Sequence, residues 1–224
     1  MNKKLYPYRF EIFFFSQIAI LFGTLIVPSV LFESIFSPIL FIINILAGIL
    51  LISQKKKLTW LFVVLILIAV FIFGSDMIDP KNREVFSFIR MGIYFLFYNV
   101  VTYEIIKQVW NAVQVNKNVI FGLVSGYISL GMIGFFICLS IEMANPNSFQ
   151  LAQEAISNPE TMIDSLMYFS YITLLTIGYG DILPITTMAH KATMLIGLVG
   201  QIYLVVITAI VVGKYINQSN MSLK

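Results

Sequence analysis

The sequence predicts an all-α membrane protein with six transmembrane helices and a shorter, re-entrant helix between the fifth and the sixth. Of the 224 residues, 59% are hydrophobic and only 11% are charged, and the mean hydropathy is +0.91. A soluble domain of this composition would expose too much apolar surface. Six apolar runs of roughly 17 to 25 residues are also long enough to cross the hydrocarbon core of a bilayer.

The six runs occupy most of the chain and are separated by short polar segments. In order they are Ile12–Val30, Ile35–Ser53, Leu58–Gly74, Phe86–Ile106, Val119–Ile141 and Ala192–Gly213. A further stretch, Met162–Leu175, is too short to span, so it predicts a re-entrant helix that needs protein or water around it at membrane depth. Thr161 and Asp164 form a Thr-x-x-Asp pattern that predicts its start, and its end is expected near Leu175.

Charged residues predict the orientation. With a cytoplasmic amino terminus, ten Lys and Arg residues lie inside and four outside. The inner set is Lys3, Lys4, Arg9, Lys55, Lys56, Lys57, Lys107, Lys117, Lys214 and Lys224, and the outer set is Lys81, Arg83, Arg90 and Lys191. The positive-inside rule therefore predicts that both termini are cytoplasmic, and the expected location is the plasma membrane, as a multi-pass protein. The first run follows two lysines and could be a signal peptide, but its length and the lack of a small-residue cleavage pattern favour a helix.

The outer segment Glu142–Asp164 contains four acidic residues and no basic one: Glu142, Glu154, Glu160 and Asp164. Such a segment could form a negatively charged vestibule that concentrates cations. It could equally be an ordinary solvated loop, because salt screens exposed charges over about 8 Å at physiological ionic strength.

The segment Thr176-Ile177-Gly178-Tyr179-Gly180-Asp181 lies between the re-entrant helix and the last run. Its two glycines alternate with residues that carry side chains, and glycine allows backbone torsions that point successive carbonyls the same way. Thr176 adds a hydroxyl at the inner end. Rings of such carbonyl oxygens, one strand from each of four chains, replace the hydration shell of a cation.

This segment resembles the signature of potassium channels, with isoleucine where valine is commoner. The resemblance implies that Thr176, Ile177, Gly178 and Tyr179 form the K⁺ selectivity filter and that Gly180 and Asp181 support it. It also implies a homotetramer, because one chain supplies only one of the four strands.

The resemblance extends through the re-entrant helix to the end of the chain. It implies that Thr173 supports the filter tyrosine from behind and that Tyr168 and Phe169 brace the filter. Because relatives often have tryptophan at this pair, a hydrogen bond to Asp181 would have to come from the Tyr168 hydroxyl. Leu175 replaces a threonine that is common in the family, so the inner filter entrance is expected to be less polar.

The last run carries two further predictions. Gly200 lies at the spacing at which many potassium channels have a hinge glycine, with Gly197 one turn earlier; either glycine could instead allow close helix packing. Four residues are expected to form a stripe that lines a water-filled cavity below the filter: Gln201, Leu204, Thr208 and Val212. Because a glutamine that faces lipid is expensive, the alternative for the polar members is a hydrogen bond to a neighbouring span.

The predicted domains are residues 1–115, a four-helix unit that resembles a voltage sensor, and residues 116–224, a pore domain. The fourth run has Arg90 near its outer end and Lys107 just past the inner one, with no arginine ladder between them. Steep voltage dependence needs about three to four gating charges per subunit, so little or none is expected. Tyr98, Asn99 and Glu104 could form an internal polar network or a ligand site.

The sequence therefore predicts a homotetrameric channel that conducts K⁺ passively across the plasma membrane. It predicts no enzyme activity, no cofactor beyond the permeant ion, no nucleic-acid partner and no attached cytoplasmic ligand-binding domain. Two alternatives stay open: a nonselective cation channel of the same fold, and a non-conducting subunit that regulates other channels.

Overall fold

The protein is helical throughout the part that the computed structural model describes, which is residues 5–28, 31–32, 36–76, 83–153, 155 and 158–222. No β-strand occurs within these ranges, where the one extended pairing is an isolated bridge between Phe149 and Pro184. The prediction of an all-α chain is confirmed for these residues. Some positions used in the sequence analysis lie outside them: Lys3, Lys4, Val30, Ile35, Lys81, Glu154 and Lys224.

Eight α-helices make up the described structure. They are α1 Arg9–Phe22, α2 Ser37–Ile52, α3 Lys56–Asp76, α4 Arg83–Trp110, α5 Lys117–Ala144, α6 Pro159–Leu174, α7 Thr187–Ile202 and α8 Thr208–Ser222. Short 3₁₀ turns flank α1 at Tyr6–Tyr8 and Gly23–Leu25, and a π-helical turn, Tyr203–Ile207, joins α7 to α8.

Three helical segments among the described residues are long and apolar enough to cross a membrane. They are Tyr6–Leu25, Lys117–Ala144 and Thr187–Asn220, and a shorter apolar helix covers Ile39–Ile52. These segments overlap the predicted first, fifth and sixth spans, although the first begins six residues before Ile12. The chain is a membrane protein by composition and helix length. Crossing by the remaining predicted spans stays a prediction.

The chain divides into two compact units. One contains Met1–Gly126 and Ile210–Lys224, and the other contains Tyr127–Ala209. The predicted domain boundary after residue 115 lies just before α5, which begins at Lys117, and it stays a prediction.

A buried polar chain crosses the first unit. Tyr98 Oη donates to Asn44 Oδ1 at 2.7 Å, and Asn44 Nδ2 donates to Ser16 Oγ at 2.9 Å. Glu104 forms an ion pair with Lys55, and Asn99 donates to Phe95 O one turn earlier in its own helix, at 2.8 Å. Interhelical hydrogen bonds such as those of Tyr98 and Asn44 hold helices together where apolar contact alone is weakly specific. Tyr98 and Glu104 thus have structural partners, whereas a network that joins Tyr98, Asn99 and Glu104 to one another stays a prediction.

Candidate functional site

Helix α6 begins at Pro159 and ends at Leu174. Its predicted end near Leu175 is confirmed, but the predicted start is wrong. Thr161 lies two residues inside the helix, so it cannot be the residue that caps it. Proline is favoured in the first turn because its fixed φ suits the helix and its missing N–H has no helical partner there. Thr161 O instead accepts a hydrogen bond from Ser165 Oγ at 2.7 Å.

Two glycines let α6 pack closely against α5. A Cβ on Gly131 would lie 2.2 Å from the Tyr171 ring, and a Cβ on Gly134 would lie 2.5 Å from Ser170 Oγ. At this short range two hydroxyls of α6 reach backbone carbonyls of α5. Ser170 donates to Gly131 O at 2.8 Å, and Tyr171 donates to Ile128 O at 2.8 Å. Small residues and interhelical hydrogen bonds of this type fix one helix against another in membranes.

The last carbonyl of α6 is held from two sides. Tyr127 Oη donates to Leu174 O at 3.0 Å. Gly200 is buried and approaches so closely that a Cβ there would lie 2.7 Å from the same oxygen. Around Gly197, by contrast, nothing lies within 4 Å of a Cβ. Gly200 is therefore explained by close packing at the end of α6, and a role for either glycine as a hinge stays a prediction.

The segment that follows α6 has an alternating backbone. Thr176 has a φ of 58°, Gly178 of 55° and Gly180 of 81°, whereas Ile177 and Tyr179 are not among the residues with positive φ. In an ordinary extended strand successive carbonyls point to opposite sides. Alternation in the sign of φ turns every second peptide plane over, so successive carbonyls point to the same side. The two glycines adopt positive φ without strain, whereas the same conformation is strained in Thr176 because its side chain is β-branched.

Hydrogen bonds to α6 fix the other side of this segment. Thr176 N donates to Thr173 O at 3.0 Å, and the N–H groups of Ile177 and Gly178 both donate to Ile172 O, at 2.9 and 3.3 Å. Within the described part of the chain the carbonyls of residues 176–179 accept no hydrogen bond. Donors therefore face the helix, and a row of unpaired acceptors is left for another partner.

The predicted filter residues are exposed in the single chain. Ile177 is 47% and Tyr179 is 72% exposed, and the glycines at 178 and 180 have nothing within 4 Å of a Cβ position. The Thr176 hydroxyl is also exposed and donates to Leu175 O at 2.7 Å, which leaves its oxygen lone pairs available. Their role as ion ligands stays a prediction.

Tyr168 is hydrogen-bonded to the predicted outer end of the segment. Its hydroxyl donates to Asp181 Oδ2 at 2.7 Å, which is the bond that the resemblance implied for this residue. The hydrogen bond to the Asp181 carboxylate raises the pKa of Tyr168 above its ordinary value. The tyrosine hydroxyl therefore keeps its proton at neutral pH and can donate this bond, and the donor is lost as the pH rises through this raised pKa.

We expect Tyr168→Phe to weaken the outer end of the segment without unfolding the protein. The variant removes one charge-assisted hydrogen bond at an exposed position, so sustained flux should fall by about two- to tenfold. The measurement is cation flux from liposomes as a function of time. Tyr215→Phe, which removes an exposed hydroxyl from α8, is the matched control. Equal loss in both variants would rule out a specific role for the bond to Asp181.

The side chain of Phe169 is buried, whereas that of Tyr168 is exposed, and the two have different contacts. Phe169 is 3% exposed and packs edge to face against Phe149, with ring centroids 5.2 Å apart. Its contact is thus with the loop between α5 and α6, which is called the outer loop here because the charge distribution predicts it to lie outside the membrane. Thr173 is half-buried and its carbonyl accepts from Thr176 N, whereas support of Tyr179 by Thr173 stays a prediction.

Glu142 shapes the outer loop from the end of α5. Its Oε1 accepts from Asn147 N at 2.7 Å and its Oε2 accepts from Phe149 N at 3.0 Å. Asn147 has a positive φ of 65°, a conformation that asparagine tolerates better than most residues. Glu142 is only 7% exposed and both of its oxygens accept backbone bonds, so it has a structural role in this loop, and a negatively charged vestibule stays a prediction. Of the other acids of the proposed vestibule, Glu154 lies outside the described residues.

The turn fixed by Glu142 holds the chain that leaves the Thr176–Asp181 segment. Residues 148–150 pair with residues 183–185 through backbone contacts on both sides of one bridge. These contacts are Gln150 N to Leu183 O at 2.8 Å, Ile185 N to Ser148 O at 2.8 Å and the bridge between Phe149 and Pro184. The segment is thus anchored by α6 before it and by the outer loop after it.

We expect Glu142→Gln to destabilise the protein by about 1–2 kcal/mol, because the amide nitrogen cannot accept the bond that one carboxylate oxygen accepts and a buried N–H loses its partner. Thermal unfolding of the purified protein measures the effect. Glu11→Gln is the control, since Glu11 makes only a 3.7 Å ion pair with Lys117 and such pairs contribute about 0–1 kcal/mol. A Glu142 variant as stable as the Glu11 variant would contradict this account.

The predicted cavity stripe contains a π-helical turn. Gln201 and Thr208 were placed on one face on the assumption of an unbroken α-helix, but Tyr203–Ile207 lies between them and a π turn shifts the register. Gln201, Leu204 and Val212 are exposed and Thr208 is half-exposed, whereas Tyr203, Ile207 and Val211 are buried. The stripe members thus lie away from the packed side, and their contact with a cavity stays a prediction.

Sequence reasoning missed Tyr127, Ser170 and Tyr171, as well as the turn-stabilising role of Glu142, which it predicts only as a vestibule acid. Three are hydroxyl residues inside apolar helices, and only the approach of α5 and α6 gives them partners. Glu142 had a local signal, since it precedes the turn-forming sequence Asn145-Pro146-Asn147, where a carboxylate can accept bonds from free N–H groups.

Comparison with known proteins supports a class for this part of the chain. Residues 122–217 match a family model described as Ion channel. The match covers fewer than half of the 224 residues and includes α6, the Thr176–Asp181 segment and the last helices. It supports an ion channel and indicates a transport protein rather than an enzyme. No curated protein and no solved structure was found to match the chain.

Proposed function

We propose that this protein is a potassium-selective channel in which four copies surround one axis. The observation that carries the proposal is the row of unpaired carbonyls at residues 176–179, whose backbone alternates in φ and whose first three N–H groups bond to α6. Four such rows form stacked rings of oxygen that replace the hydration shell of K⁺. The carbonyl end of α6 adds a negative partial charge that favours a cation below the rings.

A tetramer accounts for the exposure of the segment. Tyr179 is 72% and Ile177 is 47% exposed in one chain, which leaves large apolar side chains uncovered beside polar carbonyls. Cyclic assembly brings the same surface of each neighbour to this place. It also supplies the three further strands that a filter needs.

We further propose six transmembrane spans, with α2, α3 and α4 among them and α6 as a re-entrant helix. Both termini lie in the cytoplasm of a plasma-membrane protein, as the distribution of Lys and Arg predicts. The sequence of α4 carries no arginine ladder between Arg90 and Lys107. Little or no voltage dependence follows, because steep dependence needs about three to four gating charges per subunit.

Current from purified protein in planar bilayers tests the proposal. Under opposed K⁺ and Na⁺ gradients, the reversal potential should follow the K⁺ gradient, and conductance should change little with voltage. A reversal potential that follows Na⁺ equally would indicate a nonselective cation channel. No current from a protein that is tetrameric by cross-linking would favour a non-conducting subunit, and a steep conductance–voltage curve would overturn the claim about voltage.

A further inference from the structure

The first unit contains a cavity of about 720 Å³ at the predicted cytoplasmic end of its helices. Its wall comes from the start of α1, the turn between α2 and α3, the end of α4 and residues 111–116, called the linker here because they join α4 to α5. Side-chain amides are frequent in the wall: Gln54, Gln108, Asn111, Gln114, Asn116 and Asn118. None of the residues that line it belongs to the Thr176–Asp181 segment.

The cavity wall is positively charged. Arg9, Lys55 and Lys107 line it against a single acid, Glu104. Glu104 is 5% exposed and is already paired with Lys55. Two cations in the wall, Arg9 and Lys107, are therefore left without a carboxylate from this cavity.

Arg9 is held in one orientation. Its guanidinium carbon lies 4.2 Å from the Tyr6 ring centroid and 4.5 Å from that of Phe10. Its Nε donates to Gln108 Oε1 at 3.1 Å and its Nη1 to Tyr6 O at 3.2 Å. A guanidinium has five N–H donors, so these two bonds do not exhaust it. No carboxylate pairs with Arg9 anywhere in the described ranges of the chain.

An oriented, half-buried guanidinium without a counter-ion favours an anion as its ligand. Removal of a charge from water is costly unless it is paired, and the planar fork of arginine matches the oxygens of phosphate. Lys107 is exposed and can add a second positive charge. The amides of the linker can donate to further oxygens.

We propose that this cavity binds a phosphate-bearing anion, with Arg9 as its main ligand and Lys107 as the second. A phospholipid headgroup of the inner leaflet and a soluble phosphate compound share this chemistry. Basic pockets at the cytoplasmic ends of membrane helices are typical sites for anionic headgroups, and the experiment below separates the two sources.

The linker connects the cavity to α8 through hydrogen bonds. Lys214 Nζ donates to Trp110 O and, at 2.9 Å, to Ala112 O, and Val115 N donates to Gln218 Oε1 at 2.9 Å. A ligand bound to Asn111, Gln114 or Asn116 orders the same linker that holds α8. Regulation of conduction through this contact rests on the proposed channel function, whereas binding of the ligand does not.

Equilibrium binding to the purified full-length protein tests the site independently of flux. The probes are short-chain phosphatidylglycerol, short-chain phosphatidylcholine and inorganic pyrophosphate. Phosphatidylglycerol or pyrophosphate should bind wild type, and Arg9→Gln should weaken that binding by about tenfold. Lys107→Gln, a change at an exposed position that leaves the fold intact, should weaken it by about fivefold.

Lys57→Gln is the matched control, since it removes the same charge near the same membrane surface but outside this cavity wall. It should bind like wild type. Binding of phosphatidylglycerol but not pyrophosphate identifies a lipid headgroup, and tight pyrophosphate binding identifies a soluble ligand. The proposal is overturned if neither anion binds better than phosphatidylcholine, or if the Lys107 and Lys57 variants lose affinity equally.

Discussion

Gly178→Ala should reduce potassium flux by at least about 100-fold while the protein still folds and assembles. Gly178 has a φ of +55°, and the left-handed region costs a residue with a Cβ about 1–2 kcal/mol. In a tetramer the cost is counted four times, so the ring as a whole is destabilised by about 4–8 kcal/mol. The backbone can relieve this cost by turning over a peptide plane, which points carbonyls away from the axis.

Steric crowding does not explain this effect, because nothing lies within 4 Å of a Cβ at Gly178. The N–H of Gly178 also makes the longest of the three bonds to α6, at 3.3 Å, whereas that of Thr176 is 3.0 Å. The shorter hydrogen bond to α6 therefore stabilises the positive φ of Thr176 more than the longer bond would stabilise a positive φ of alanine at position 178. We expect the Gly178 backbone to relax where that of Thr176 does not.

Liposome flux with a K⁺-sensitive dye measures the loss, and chemical cross-linking checks that the tetramer remains. Gly92→Ala is the matched control. Gly92 lies in α4, has no positive φ and has nothing within 4 Å of a Cβ, so alanine there should be neutral or slightly stabilising. Selective K⁺ flux at the wild-type rate from the Gly178 variant would remove the basis of the proposed filter.

The parts of the site that sequence could predict are those that depend on local backbone chemistry. The alternation of glycine in the Thr176–Asp181 segment predicts backbone torsions that point successive carbonyls the same way. The length of the apolar stretch after residue 161 predicts the end of α6. The predicted start of α6 is wrong because Pro159 is a stronger local signal for the first turn than the capping pattern that begins two residues later.

Features that depend on the approach of distant segments were not predictable. The pairing of residues 148–150 with 183–185 joins positions about 35 residues apart, and no local pattern specifies such a register. The π turn at Tyr203–Ile207 has no proline or glycine within it, so the sequence gives no sign of it. In the sequence Arg9 does not differ from the other nine cations predicted to lie inside, and its stacking on Tyr6 and Phe10 is seen only in the structure.

Gly200→Ala should destabilise the protein by about 3 kcal/mol per subunit, the upper part of the range for overpacking a buried position. A Cβ at this site would lie 2.7 Å from Leu174 O and 2.8 Å from Leu174 Cδ1. A side chain can rotate away, but the carbonyl oxygen can move only if the end of α6 moves with it. That shift would also strain the hydrogen bond from Tyr127 to Leu174 O.

Gly197→Ala is the matched control, because it makes the same chemical change one turn earlier in α7 with nothing within 4 Å of the new Cβ. Alanine there should stabilise the helix by up to about 1 kcal/mol. Thermal unfolding and flux, measured together on both variants, separate packing from bending. If Gly200 only provides flexibility, Gly200→Ala should keep wild-type stability and change the open probability alone, because a hinge needs no space for a neighbour. Since Leu174 is the last residue of α6 and Thr176 follows two positions later, the packing account instead requires stability and flux to fall together in the Gly200 variant.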